Sequence, residues 1–328
     1  MSLAPAVTRS LLLSVCLLAT ATSPSHAADA FPSKPIRIIV PVAAGGNLDI
    51  VTRAMAERLG ASMGQPVIVE NRVGGSSTVG TKHVARSTPD GYTLLAIGNT
   101  FLSVPAILPD AGYDPVGEFV GISLIGRIPN ILVVGANTPS RTVQDLIARA
   151  KVRPEAISYG SAGSGSVGHF AAEKFSRFTG TKMLHIPYKG GGPALIDVIG
   201  GRVDMMFDQV STSRSHIKAG TLRSLGVSSL TRSPILPDVP TLDELGLKGF
   251  EDITINGLLA PVGTPRDVLL RLHAEVVKAL QTPALRDRFL EQGIELAPSP
   301  TYEDFNTYVK TEVVRYTKLA RDANIKAE

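Results

Sequence analysis

The sequence contains no tryptophan, and its aromatic residues amount to 5% of 328 positions. That disfavours a sugar-stacking site and the aromatic platforms of single-stranded nucleic-acid binding. Charge of either sign is also modest. The 33 Lys and Arg stand against 29 Asp and Glu, a formal +4, scattered along the chain. Neither the excess nor its distribution argues for a nucleic-acid partner. There is a single cysteine, Cys16. The six histidines form no H-x-x-x-H pair, and no Asp/Glu cluster has metal-ligand spacing, so no metal is expected. No serine sits in a G-x-S-x-G elbow. Ser215 to Lys218 spells S-x-x-K, but the companion S-D-N and K-T-G motifs are missing. Nothing supports a catalytic residue, and the expectation is a protein that is not an enzyme.

What is present begins with an export leader. Arg9 gives a positive start, Leu11 to Thr20 is a short apolar run, and Ser25 to Ala27 ("SHA") puts small residues around a cleavage site. The run is shorter than the ~18 residues of a membrane-spanning helix. Residues 1–27 therefore read as a signal peptide cleaved near Ala27, and the mature protein as periplasmic. Cys16 and Arg9 leave with the leader, so the mature chain has no disulfide.

From residue 28 onward, hydrophobic patterning alternates between strand and helix. "IRIIV" is a β-branched run suited to a buried parallel strand, and "NLDIVTRAMAERLG" carries Leu48, Val51, Met55 and Leu59 at helical spacing. "VIVEN", "TVGTKHVA" and "YTLLAIGNT" continue the series. The pattern restarts at "NILVVGAN" and runs through three more strand–loop–helix units. Two amphipathic helices, Pro265 to Leu280 and Pro283 to Gln292, follow a late strand, and Ser299 is the expected N-cap of a last helix. This predicts an α/β fold of two doubly wound, parallel lobes, with a ligand cleft beyond the strand ends. The expected boundaries are 28–129 plus 251–328 for one lobe and 130–250 for the other.

The segment "YGSAGSGSVGHF" holds Gly163, Gly165 and Gly168 in the G-x-G-x-x-G spacing of a dinucleotide turn. The acidic residue that would hold a ribose is missing from the next strand, "KMLHIPYK", so no nucleotide cofactor is expected. The anion-binding physics survives: unpaired N–H groups and the positive dipole end at a helix start, with Ser161, Ser164 and Ser166 adding hydroxyls. The plain alternative is a tight turn capped by Ser166. Three other small-residue loops end strands: Val42, Ala43, Ala44, Gly45 and Gly46; Gly98, Asn99 and Thr100; and Lys189, Gly190 and Gly191. Asp208 stands at a strand mouth, either accepting from a ligand or capping the next helix. Asp49 reads as an anchor of its own helix, and His169 as either ligand-facing or packed at the lobe surface. A bulky residue at Gly165 is expected to abolish binding without unfolding the protein.

Taken in order, "PIRIIVPVAAGGNLDIVTR", "GQPVIVENRVGG", "PDGYTLL", "ISYGSAGSGSVGHFAAEKF", "HIPYKGGGPALIDVIGGRVDMMFD", "IKAGTLRSLGV" and "LPDVPTLDELG" resemble the Bug proteins, extracytoplasmic solute receptors of tripartite tricarboxylate transporters. The resemblance covers essentially the whole mature chain. It implies a periplasmic-binding-protein type II fold that closes by a hinge on a small carboxylate, and a permease as membrane partner, with a monomeric receptor and no cofactor. It also implies that loop backbone groups, hydroxyls and waters hold the carboxylate. The ligand-binding positions carried over are Val42 to Gly46, Asn99, Thr100, Ser161, Ser164, Gly165, Ser166, His169, Lys189, Gly190, Gly191 and Asp208. The sequence departs from the family at Val42, where many members have Phe, at Val73 in "NRVGGSS", and at Asn256, near a frequent Trp. Two other readings stay open: a ligand-sensing partner of a sensor kinase, and an exported enzyme using the same cleft.

Overall fold

The computed structural model describes residues 31–326. The expected leader, its cleavage site and Cys16 lie outside the described residues. The first strand, β1 (Ile36–Val40), is buried at four of its five positions. It leads through α1 (Asn47–Met63), β2 (Val67–Asn71) and α2 (Thr78–Ala85) to β3 (Thr93–Ile97). β1 pairs in parallel with both β2 and β3. α3 (Asn99–Ile107) follows β3 directly, and β4 (Phe119–Gly135) follows α3.

A second parallel unit comes next: α4 (Val143–Val152), β5 (Ser158–Ser161), α5 (Val167–Thr179), β6 (Leu184–Pro187), α6 (Gly191–Ile199), β7 (Met205–Gln209), α7 (Val210–Lys218) and β8 (Leu222–Val227). β5 pairs in parallel with β6 and β7. The chain closes with β9 (Ile253–Pro261), α8 (Arg266–Leu280), α9 (Pro283–Glu291), β10 (Glu295–Leu296) and α10 (Tyr302–Ala323). The strand order is β2-β1-β3-β9-β4-β7-β5-β6, with β8 and β10 also pairing β4.

The purely parallel sheet expected from sequence is corrected in the middle. β9 runs antiparallel to β3 and β4, and β4 runs antiparallel to β7 and β8. The expected strand at "NILVVGAN" is only the second half of β4. Its first half, "FVGISLIGRIP", is assigned to no element from the sequence and is punctuated by Gly121, Gly126 and Pro129. In the fold these glycines adjoin register shifts between Gly121 and Ser123 and between Leu124 and Gly126. They mark bulges inside a strand, not turns between strands. β4 serves both wings: Phe119 to Pro129 pair with β9, and Asn130 onward pairs with β7 and β8.

The switch point is tied by buried polar groups. The Asn130 N–H donates to Ser228 Oγ at 3.0 Å, and Asn130 Nδ2 donates to Asp252 Oδ1 at 2.9 Å. Thr254 Oγ1 donates to Asn130 Oδ1 at 3.1 Å. Burial raises the Asp252 carboxyl above its usual range, and the nearby Lys174 and Arg315 charges pull it back. A buried carboxylate without such partners would be strongly destabilising.

Apolar packing anchors each wing. Ile39, Leu95, Ile97, Phe101, Ile255, Phe305 and Tyr316 share one core. Leu132, Val134, Tyr159, Phe175, Phe207 and Phe250 share another. The last helix buries Phe305, Val309, Tyr316 and Ala320 along one stripe. Its N-cap is Thr301, not Ser299. Thr301 and Asp304 form a reciprocal capping box, which satisfies two otherwise orphaned N–H donors. Ser299 instead takes the Leu124 N–H at 3.2 Å.

Candidate functional site

Because β5, β6 and β7 are parallel, their carboxyl ends share one edge, and the helices that follow them all start there. α3, which follows β3 of the other wing, starts at the same cavity. The cavity has a volume of ≈ 620 Å³, within the range of small-molecule sites. Thr100 comes from the first turn of α3; Ser166, Val167 and Gly168 from the start of α5; Gly191 and Gly192 from α6; Gln209, Thr212 and His216 from α7. Ala162, Leu195, Met206 and Phe207 supply apolar wall, and Asn130 and Asp208 complete the lining.

The four helix starts make the site electropositive without a formal cation. Lys and Arg are absent from the lining, and Asp208 and His216 are its ionisable side chains. The N-caps Gly98, Gly190 and Gln209 make no side-chain capping bond. Their first-turn N–H groups therefore lack side-chain acceptors. Each helix start carries roughly half a positive charge, about two charges over four helices. The Asp208 carboxyl in the lining offsets up to one charge of that sum, which leaves a site suited to an anion. Ser166 does cap α5, accepting from the His169 N–H at 3.4 Å, as the plain reading of the loop expects.

Asp208 is held in place by its own helix. Thr212 Oγ1 and Ser213 Oγ donate to its Oδ2 at 2.5 and 2.7 Å. Burial raises its carboxyl above the usual range; the bonds from Thr212, Ser213 and the Gln209 N–H act the other way. The N-cap position of α7 is Gln209, so Asp208 steadies the first turn from one residue earlier.

Of the residues expected from sequence, Thr100, Ser166, Gly191 and Asp208 meet in this cavity. Others are committed to the fold. Asn99 is buried; its Nδ2 donates to Ile253 O and Tyr316 Oη, and its Oδ1 accepts from the Ile255 N–H. Ser161 is fully buried, 2.7 Å from His185 Nε2 and 3.1 Å from the Gly163 carbonyl. That distance suits a nucleophile–base pair, but Ser161 does not line the cavity. The Gly165 N–H donates to His169 Nδ1 at 3.0 Å, and the His169 ring stacks on His185 with centroids 3.8 Å apart. Ser164 shares the loop without lining the cavity. Lys189 and Gly190 lie just before α6, with Lys189 exposed.

Val42 to Gly46 also stand outside the lining. Ala43 to Gly46 are exposed, and the Gly45 N–H is taken by Asp49 Oδ2 at 2.9 Å. Asp49 further accepts from Arg53 and Asn71, which bears out its reading as an anchor. Asn256 Nδ2 donates to Asn47 Oδ1 at 2.9 Å, so this departure from the family ties β9 to the start of α1.

The structure also changes the expectation for Gly165. Its φ is +76°, and a Cβ there would lie 2.1 Å from Ile107 Cδ1. Gly165→Leu is therefore expected to lose about 1–3 kcal/mol of stability through overpacking, before any effect on ligand. Urea denaturation measures this; unchanged stability would restore the simpler sequence reading. Gly168 has a different task. A Cβ there would lie 2.8 Å from the Phe207 carbonyl oxygen, so glycine lets α5 approach β7 closely.

Sequence reading did not single out Asn130, Gln209, Thr212 or His216. The signal for three of them is helical: positions 209, 212 and 216 follow i, i+3, i+7 from the mouth of β7 and so share one face of α7. Asn130 carried no local signal, because its position depends on where β4 changes partners.

The family model for the tripartite tricarboxylate transporter family receptor matches residues 51–325. A Pseudomonas sp. protein encoded in the tcbD-tcbE intergenic region is 38% identical over 94% of this chain and 92% of its own. The periplasmic binding protein BugD is similar in structure, with TM-score 0.75 and 34% identity over 91% of this chain and all of its own. A protein from R. palustris solved with adipate gives TM-score 0.78 and 32% identity over 91% and 100% of the two chains. MatC from Rhodopseudomonas palustris, solved with bound malate, gives TM-score 0.75 and 29% identity over 88% and 99%. The α/β fold is thus that of periplasmic solute-binding proteins, and the chain belongs to the tripartite tricarboxylate transporter receptor family, which includes the Bug proteins.

Proposed function

We propose that this protein is a periplasmic receptor that captures a small organic dicarboxylate and delivers it to a tripartite tricarboxylate transporter permease. The convergence of four helix starts on one cavity carries the reading. Such a site binds anions through fixed N–H groups and hydroxyls, and its apolar wall at Leu195, Met206 and Phe207 accepts the carbon chain between two carboxylates. The adipate and malate in the two related structures are both of this class.

On this reading the lobes divide where β4 changes partners, at Pro129 and Asn130. Residues 28–129 with 251–328 close against residues 130–250. Closure brings the Val42 to Gly46 loop, exposed from Ala43 onward, toward the ligand and adds its backbone to the clamp. On this reading the receptor performs no chemistry; Ser161 is buried, and neither it nor the half-buried His185 lines the cavity.

Calorimetry against adipate, malate, citrate, glutamate and benzoate tests the proposal. Micromolar binding of at least one dicarboxylate is expected, with the ligand recovered unaltered. Absence of binding to every acid, or conversion of one, would overturn it.

A further inference from the structure

A second cavity, of ≈ 800 Å³, lies between α2 and the amino-terminal ends of β1 and β3. Its lining includes Lys34, Arg37, Arg72, Lys82 and Arg86, against the single acid Asp90. Lys34 is paired with Asp90 at 3.3 Å and Arg72 with Glu70 at 2.6 Å. Among the described residues, Arg37, Lys82 and Arg86 make no ion pair. The groove exists because α2 has only eight residues. Its Val84 covers the face of β1 at Ile39; two residues earlier on the same face, Arg37 is left uncovered.

We propose that this groove docks an extended acidic segment of a partner protein. Charge complementarity calls for several carboxylates in a row, matching three unpaired cations spread over a strand and a helix. The surroundings favour a protein over a small ion. Val79 lines the groove at 48% exposure, and Ile68, also 48% exposed, stands beside Arg37 in the β1–β2 register. Arginine next to exposed aliphatic side chains is the composition of a protein interface. A concave groove admits a chain segment where a flat lipid surface would meet only its rim. Burial, with the charges of Arg72 and Arg37, also holds His83 below its ordinary value, as expected of a positive field inside the groove.

The proposal does not depend on what the ligand cavity binds, and its test uses a different probe. Labelled hexaglutamate is titrated into the full mature chain and followed by fluorescence anisotropy. Binding is expected, weakening as salt rises. The double variant Arg37→Glu/Arg86→Glu is expected to weaken it at least about tenfold, through lost attraction and new repulsion. Both side chains are exposed, and a thermal melt checks folding; Lys82→Gln gives a milder variant with an expected loss of about threefold. Gly191→Phe, which fills the other cavity, should bind hexaglutamate like the unmodified protein. No hexaglutamate binding, or equal binding by the charge-reversed protein, would overturn the proposal. Displacement of the peptide by inorganic phosphate at equal charge concentration would overturn it in favour of a small-anion pocket. Retention on phosphatidylglycerol vesicles without hexaglutamate binding would overturn it in favour of a lipid surface.

Discussion

Gly191→Phe is expected to reduce dicarboxylate affinity at least about 100-fold while leaving the melting temperature within about 2 °C. Gly191 is the first residue of α6 and lines the cavity. A Cβ built there meets nothing within 4 Å, and its backbone needs no left-handed conformation. The side chain therefore has open space, and that space belongs to the cavity proposed to hold the ligand. Replacing glycine within a helix gains up to about 1 kcal/mol of helix propensity, which offsets small losses elsewhere. Calorimetry paired with a thermal melt separates the two effects. Retained affinity in a folded variant would mean that the ligand does not approach α6. Gly165→Leu lacks this separation, because the fold already occupies the space its side chain would need.

The contrast between these glycines shows what was legible in the sequence. "YGSAGSGSVGHF" announced a strand, a tight loop and a helix start, and all three are present. It also announced anion-binding character, and Ser166 with the start of α5 does line the cavity. It did not reveal which N–H groups remain available. The Gly165 N–H is spent on His169 four residues later, a contact that depends on ring orientation. Likewise "GNT" read as a loop, yet Asn99 is the first residue of α3, and its amide holds β9 and α10. The alternation of strands and helices fixed both parallel wings. The antiparallel strands that join them were harder to see, because β4 belongs to two pairings and carries its bulges at glycines. Asn130, Gln209, Thr212 and His216 entered the site through those tertiary relations, with no motif to mark them.

Acid should weaken the fold through His169. Burial, reinforced by the neighbouring His185 charge, lowers its pKa to about 3. The ordinary value in an unfolded chain is about 6.5. Below pH 6.5 the unfolded chain therefore binds a proton that the folded protein refuses, and stability falls as pH drops toward 3. At pH 5 the loss from this one group is about 2 kcal/mol, from 1.36 kcal/mol per pH unit. The loss levels off once the folded protein also protonates. Urea denaturation at pH 7 and pH 5 measures it, with His169→Asn as comparison. Asn keeps an acceptor near Nδ1 for the Gly165 N–H but does not titrate. The variant starts less stable at pH 7, because it loses the ring stacked on His185. Its further loss between pH 7 and pH 5 should be smaller than the unmodified protein's by about 2 kcal/mol. Equal losses in both proteins would show that His169 does not set the acid limb. In the folded molecule the Gly165–His169 bond stays intact at pH 5, so Ser166 keeps its place at the cavity. Any change in ligand affinity between pH 7 and pH 5 should then come from the carboxyl groups of the ligand and of Asp208 and not from this loop, which separates the stability of the loop from its service to the site.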